Sequence, residues 1–344
     1  MKAPLALFLL AALACAGRQA PAQDAVAVAF WNVENLFDAD DDPGNAGDDE
    51  FLPGNGWTEE RYRRKLAHLA EVVGLLDAYL LGLAEVENRR VLEDLLRQPA
   101  LEGRGYKIGH RDSPDHRGID LALLYRAPFE VGEEKTDVLL HPIPMEPPTR
   151  GVLEAKVHAG RRDLDVLVNH WPSRIGGERE TREFRKKAAE VCKRLCRERI
   201  DACPAGRCLD LLLMGDLNDD PHDASVAGTL GAFPEKEAVL GGGETGRYGL
   251  FNPMFRFLGE GKPGTLYFRG KPNVFDQFVV SRGLLDGEGF ALEEKSVEIF
   301  ATEAMKDRDG QPKRFRRIRG GEWVEGYSDH FPIRTRLLLV GGPK

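Results

Sequence analysis

The 344-residue chain lacks the marks of several large functional classes. Beyond its first two dozen residues, no apolar run approaches the ~20 residues that a membrane-spanning helix requires. It has no G-x-x-x-x-G-K-[ST] loop to cradle a nucleotide and no serine or cysteine nucleophile motif, which argues against P-loop and acyl-enzyme chemistry. It has no internal repeat and no long low-complexity linker. Positive charge is not in excess: 48 Lys and Arg stand against 56 Asp and Glu, a net charge of -8. A polyanion would therefore have to be held by local basic patches or bridging metal, not by bulk charge. Cysteine is scarce, five in all, and four of these lie within 17 residues: Cys192, Cys196, Cys203 and Cys208.

What is present begins with a leader. Lys2 supplies a positive start, Leu5 to Ala14 a short apolar run, and Ala20-Pro21-Ala22 a small-x-small cleavage site. Residues 1–22 thus read as a signal peptide, so the protein is expected to be exported, periplasmic or secreted. Lipid attachment through Cys15 is the lesser alternative. Residues 23–344 then form a single catalytic domain, and removal of Lys2 and Arg18 takes its charge from -8 to -10. In an oxidising compartment, an even, clustered cysteine count points to local disulfides. A nested pairing, Cys192 with Cys208 and Cys196 with Cys203, would staple a helix end to the next loop; a four-cysteine zinc site is the alternative.

Apolar runs that read as strands alternate with amphipathic stretches, the pattern of an α/β fold. Strands are expected at Ala25–Trp31, Tyr79–Val86, Ile119–Tyr125, Gly151–His158, Leu164–Val168, near Leu211–Asp216, Phe275–Val280 and Thr335–Val340. Thr58 caps a helix carrying Leu66, Leu69, Val72, Val73 and Leu76 on one face, and a second long helix covers Thr181–Arg199. The acidic loop Asp38–Glu50 fails the EF-hand spacing, because Pro43 sits where the loop glycine belongs, and is expected to be solvated.

The informative feature is what the strand ends carry. The run Leu211–Met214 stops at Gly215 and delivers Asp216 and Asn218, and Pro221 forbids regular structure beyond. A carboxylate beside a carboxamide can hold a water and take its proton. Asn32/Glu34, Glu85, Asp120, Asn169/His170, Asp276 and Asp329/His330 sit at strand ends or starts in the same way. Such oxygen donors suit magnesium, manganese or calcium, and histidines add proton transfer near neutral pH.

These residues resemble the motifs of the endonuclease/exonuclease/phosphatase superfamily. Trp31-Asn32-Val33-Glu34-Asn35 resembles its first motif, Leu83-Ala84-Glu85-Val86 its second, Asn169-His170 its third and Gly215-Asp216-Leu217-Asn218 its fourth. Ser328-Asp329-His330, preceded by Phe275-Asp276, is similar to its last. Ala84 departs from the usual glutamine.

The resemblance implies a four-layered α/β sandwich, two mixed sheets face to face with helices outside, and a metal-dependent phosphoester hydrolase. Glu85 would be the main metal ligand, with Asn32, Glu34 and Asp329 completing the site around a divalent cation, Mg2+ first and Mn2+ or Ca2+ as alternatives. Asp216, steadied by Asn218, or else His330 would activate water. Asp276 would orient His330, and Asn169 and His170 would complete the catalytic set, His170 donating to the phosphate. Asp120 would partner His170, and Arg174 would contact phosphate. Nucleic acid is the expected substrate of a monomeric enzyme. A phosphatase or sphingomyelinase-like activity, or a non-catalytic binding module, are the competing readings. The run Lys313–Arg319, five basic residues in seven, reads equally as a backbone-tracking patch or an exposed hairpin.

Overall fold

The computed structural model describes residues 25–340 apart from 46, 205, 206 and 319, so the expected leader and Cys15 lie outside the described residues. Seven strands form the first sheet: β1 (Ala25–Leu36), β2 (Leu80–Val86), β3 (Lys107–His110), β4 (Asp120–Tyr125), β14 (Gly289–Leu292), β15 (Glu298–Ile299) and β18 (Ile333–Val340). Their order is β14-β18-β1-β2-β4-β3, with β15 also paired to β18. The second sheet contains β5 (Val138–His141), β6 (Val152–Ala159), β7 (Arg162–His170), β8 (Leu211–Asp216), β9 (Ala232–Phe233), β10 (Leu250–Phe251) and β13 (Asp276–Val280). Its order is β5-β6-β7-β8-β13-β10-β9. Both sheets are mixed: β1–β2 and β7–β8 are parallel, while β18 and β13 run antiparallel beside them.

The strands are apolar on both faces because both are covered. Between the sheets, Phe30, Leu80 and Leu123 of the first meet Val166, Met214 and Phe278 of the second in one buried cluster. Gly82 permits this approach, since a Cβ there would sit 3.0 Å from the Phe30 ring and 3.2 Å from the Met214 sulfur. The outer face of the first sheet packs against α1 (Glu59–Leu76) and α2 (Arg89–Leu96). The predicted stripe from Leu66 to Leu76 is the buried face of α1, and Thr58 caps it by accepting from Arg61 N. The outer face of the second sheet packs against a long helix, Glu178–Ala202. The result is the expected layered sandwich.

Two local expectations fail. Cys192 and Cys196 are unbridged thiols, so the nested pairing with Cys208 and Cys203 does not form. Cys192 and Cys196 are one helical turn apart on the buried face of the long helix, so both turn into the core, away from the loop beyond the helix end. Burial pushes the Cys196 thiol up to about 12, which leaves it unreactive. The acidic loop, moreover, is not simply solvated: Asp38 and Asp48 are 5% and 1% exposed. Two hairpins stand outside the sheets: β11 (Leu266–Phe268) against β12 (Lys271–Asn273), and the basic run, which forms β16 (Phe315–Arg317) against β17 (Trp323–Glu325).

Candidate active site

The two parallel pairs bring the C-terminal ends of β1, β2, β7 and β8 to one rim. Their antiparallel neighbours β18 and β13 bring N-terminal ends to the same place. Asp276 lies directly opposite Asp216, and His170 is in register with Asp216 on the other side. Gly215 is required there: a Cβ would fall 2.3 Å from the Asn169 carbonyl oxygen. Residues distant in sequence therefore converge because topology aligns the ends of six strands.

Asp216 is the hub. Its Oδ2 accepts from Asn32 Nδ2 at 3.1 Å and lies 3.6 Å from His170 Nε2 and 3.7 Å from His330 Nε2. Its Oδ1 accepts from Asn218 N at 2.9 Å. The two imidazole distances are too long for hydrogen bonds, so both nitrogens remain available to another oxygen. Asn218 does not set its carboxamide beside the Asp216 carboxylate, as the expected water-holding pair required. The chain turns at Asn218, φ 51°, and its side chain donates to Trp171 O at 2.9 Å. Asn32 bridges: the same Nδ2 donates to Glu85 Oε1 at 3.1 Å, while Oδ1 accepts from Glu34 N. Its amide nitrogen, not its oxygen, thus faces the two acids, in place of the expected ligand oxygen.

Four of the six non-glycine residues with left-handed backbone, among those described, are Glu34, Asn35, Glu85 and Asn218. Each costs of order 1–3 kcal/mol. Irregularities in register at Asn32/Leu36 and Ala84/Val86 accompany them. These kinks re-aim Glu85 toward the rim, where Asn35 N donates to its Oε2 at 3.0 Å.

His330 Nδ1 bonds Asp276 Oδ2 at 2.7 Å, and Ser328 Oγ, itself donating to Asn32 O, accepts from His330 N. Burial opposes charge on this ring, but Asp276 and Asp216 outweigh it and hold its pKa well above the usual histidine range. His170 is the opposite case. Burial, then the guanidinium groups of Arg150 and Arg117, push it well below that range, and its Nδ1 has no partner. Asp216 is raised to about 7, chiefly by burial, with Asp276 adding repulsion against the pull of His330. One rim thus carries a neutral histidine, a charged histidine and a carboxyl poised near neutrality, the separation of acid and base roles that proton-transfer sites require.

Several predicted residues are elsewhere or differently employed. Asn169 points into the outer core, bonding Leu167 O, Trp171 Nε1 and Cys192 Sγ, because strand alternation places it opposite His170. Asp120 bonds His110 Nε2 at 2.9 Å and Ser113 N, not His170. Arg174 holds the loop after β8, donating to Asn218 O and Asp219 Oδ1 and pairing with Asp223 at 2.6 Å, so its guanidinium is already occupied by protein. Glu34 is buried with both oxygens used, by Arg314 Nε at 2.5 Å and Phe315 N at 3.0 Å. Burial and then Asp329 raise it to about 7. Glu34 therefore anchors the basic hairpin, buried at 4% exposure.

Arg150 was not legible in sequence. It is 4% exposed, bridges Asp115 Oδ2 and Trp171 O, and its charge helps keep His170 neutral. No motif surrounds it; it simply follows a Pro-rich loop. Lys65 is likewise buried, donating to Glu34 O and Tyr327 O, and so ties the first motif to the last.

The donor set fits a hard divalent cation. Glu85 and Asp329 keep side chains 15% and 23% exposed at the mouth of the site. Glu85 has lone pairs to spare. Asp329 Oδ2 pairs with Arg314 at 2.9 Å, and its Oδ1 lies 3.9 Å from His330 Nε2. One or two carboxylates with water and substrate oxygens is how magnesium is usually bound. The side chains that meet at the rim offer oxygen and nitrogen, not the sulfur that a softer metal would favour.

The sequence profile of the Endonuclease/Exonuclease/phosphatase family matches residues 27–338. No protein in a curated set matches the chain. Among solved structures it is similar to truncated TDP2 of Caenorhabditis elegans, with 19% identity, 91% of this chain and 98% of that one covered, and a TM-score of 0.52. It is also similar to D. rerio TDP2 complexed with single strand DNA product, at 14% identity, 91% and 98% coverage and a TM-score of 0.55. A mannosyl-6-phosphatase of Bacteroides thetaiotaomicron gives 17% identity, 91% and 100% coverage and a TM-score of 0.53. At these identities the neighbours speak for the fold alone. Motifs, rim geometry and family profile agree, and the chain belongs to the Endonuclease/Exonuclease/phosphatase family, whose members hydrolyse phosphoester bonds.

Proposed function

We propose that this protein is an exported phosphodiesterase that cleaves nucleic acid with the help of Mg2+. In this reading Asp216 orients the attacking water and takes its proton, fixed by Asn218 N and Asn32 Nδ2. His330, charged and held by Asp276, donates from Nε2 to a phosphate oxygen or to the leaving oxygen. Neutral His170 donates from the other side of the same pocket. A cation held by Glu85 and Asp329 would neutralise the phosphate and stabilise the departing oxygen. The acid–base separation supports Asp216, not His330, as the base, because a histidine kept charged has no lone pair to offer.

The observation favouring a polymeric substrate is a recess of about 670 Å³ that begins at Asp329. Five basic residues, among them Lys306, Lys313, Arg314 and Arg316, line it against three aspartates, together with Tyr267. Lys313 and Arg316 have no ion-pair partner among the described residues. A cationic groove continuing from the catalytic rim suits the flanking phosphates of a strand, whereas a small monoester would leave it unused.

The test is a substrate panel: plasmid DNA, single-stranded DNA, RNA, bis-p-nitrophenyl phosphate, a phosphate monoester and sphingomyelin, each with Mg2+, Mn2+ or Ca2+. DNA or RNA cleavage is expected, lost on exhaustive chelation. Lys313→Ala with Arg316→Ala should weaken polymer binding and flatten its salt dependence while sparing bis-p-nitrophenyl phosphate. Turnover of the monoester or the lipid alone would overturn the nuclease reading.

A further inference from the structure

The loop between β1 and α1 carries Asp38, Asp40, Asp41, Asp42, Asp48 and Asp49. Its spacing excludes an EF-hand, yet the fold buries part of it. Carboxylate oxygens of Asp41, Asp48 and Asp49 all lie within 4.8 Å of one another. Two oxygens on opposite sides of a calcium ion, each ~2.4 Å from it, are ~4.8 Å apart, so three oxygens at this spacing can share one ion.

A second observation is independent of that clustering. Asp48 is 1% exposed, and its Oδ2 accepts from Asp42 N at 2.7 Å, but its Oδ1 is buried with no hydrogen-bond partner. A buried carboxylate oxygen without a partner costs several kcal/mol of desolvation unless a cation or donor meets it. Charge balance points the same way. Asp38 and Glu87 are also buried, with Glu87 Oε2 accepting from Asp38 N at 2.8 Å. Arg90, 2.5 Å from Asp40 and 3.6 Å from Asp38, is the one cationic side chain paired with these acids among the described residues.

We infer that Asp41, Asp48 and Asp49 form a calcium-binding site, separate from the catalytic rim, that fixes the acidic loop against the wall of the active site. All donors are oxygen, which selects a hard cation, and an irregular loop suits the variable coordination of calcium better than the strict octahedron of magnesium. The site is distinct because the end of β2 divides its acids: Glu85 turns to Asn32 and the rim, and Glu87 turns under the loop. The loop also touches the catalytic wall. Gly47 packs on the backbone of Arg117, where a Cβ would lie 2.0 Å from the carbonyl oxygen. Arg117 in turn pairs with Asp115, which holds the buried Arg150.

The test uses the full chain carrying Glu85→Gln, which removes the first of the two acids assigned to the catalytic cation. Calorimetric titration with CaCl2 should show one site, and saturating Ca2+ should raise Tm. Asp48→Asn should weaken Ca2+ binding at least tenfold. Because Asp48 is buried and its variant can misfold, the double variant Asp41→Asn/Asp49→Asn, altering two exposed residues, should give the same loss in a folded protein. Absence of Ca2+ uptake by the Glu85→Gln chain, or undiminished binding in the double variant, overturns the site. An equal response to Mg2+ overturns the choice of calcium.

Discussion

Replacing Asp216 by asparagine should separate the catalytic value of this residue from its cost to the fold. The substitution keeps the side-chain size and an oxygen to accept from Asn218 N, and it removes the charge and the acceptor of the Asn32 Nδ2 bond. Burial, with Asp276 directly across the sheet, raises the Asp216 carboxyl from 3.8 to about 7. A carboxyl raised on folding destabilises the native state once pH exceeds its unfolded value, and the penalty is complete above its folded value. The gap from 3.8 to about 7 corresponds to ~4 kcal/mol at most. His330 loses a stabilising neighbour in the variant, which offsets part of this. The expected net gain is therefore ~1–2 kcal/mol at pH 8, vanishing at about pH 2.5, well below the unfolded value of 3.8, where the carboxyl is neutral in both states. Urea unfolding in EDTA measures it, with no cation on the rim to complicate the titration. Hydrolysis of bis-p-nitrophenyl phosphate with Mg2+ should meanwhile fall by ~10²–10⁴-fold, the usual contribution of a general base. Near wild-type turnover would remove Asp216 as the base. A loss of more than ~2 kcal/mol at pH 8 would show that the charge stabilises the fold, contrary to the burial argument.

Asp276→Asn should lower the pKa of His330 by removing its nearest anion and should reduce kcat; the basic limb of the pH–rate profile should move to lower pH, and an unmoved limb would separate His330 from the rate. Arg174→Met should cost ~2–4 kcal/mol, because Asp219 and Asp223 lose their shared guanidinium; a raised KM with unchanged stability would instead make Arg174 a substrate contact. Asp165, at the far end of β7 from the rim, is raised to about 6 by burial and by nearby Glu154. Asp165→Asn should thus stabilise the protein by ~1 kcal/mol at pH 7.5 and by nothing at about pH 2.5, below the unfolded value of 3.8, with activity unchanged; equal stability at both pH values would refute the burial effect.

The layered α/β fold was legible because both of its periodicities are written in the chain. Fully apolar runs such as Leu211–Met214 signal strands covered on both faces, and the stripe from Leu66 to Leu76 signals a helix on an outer face. The polar residues at the strand ends were legible for a related reason. A buried strand can carry Asp216, Glu85 or His330 only where it leaves the core, so type and position together mark a rim.

Side-chain direction was not legible, because it depends on kinks and neighbours that the sequence does not display. Strand alternation turned Asn169 away while its neighbour His170 entered the site. Left-handed turns at Glu34 and Glu85 sent one acid to the hairpin and the other to the rim. Helical spacing buried Cys192 and Cys196 on one face and left the thiols unbridged. Arg150 carries no local signal, since its effect on His170 arises only when the fold brings the two together. The acidic loop was visible as composition, but only tertiary packing decides which carboxylates face solvent and which, like Asp48, are buried without a partner. Periodicity along the chain specifies the layers, and residue type at the strand ends specifies the chemical inventory of the rim. Protonation and aim arise only in the assembled fold, because desolvation and Coulomb interactions depend on distances between residues far apart in the chain.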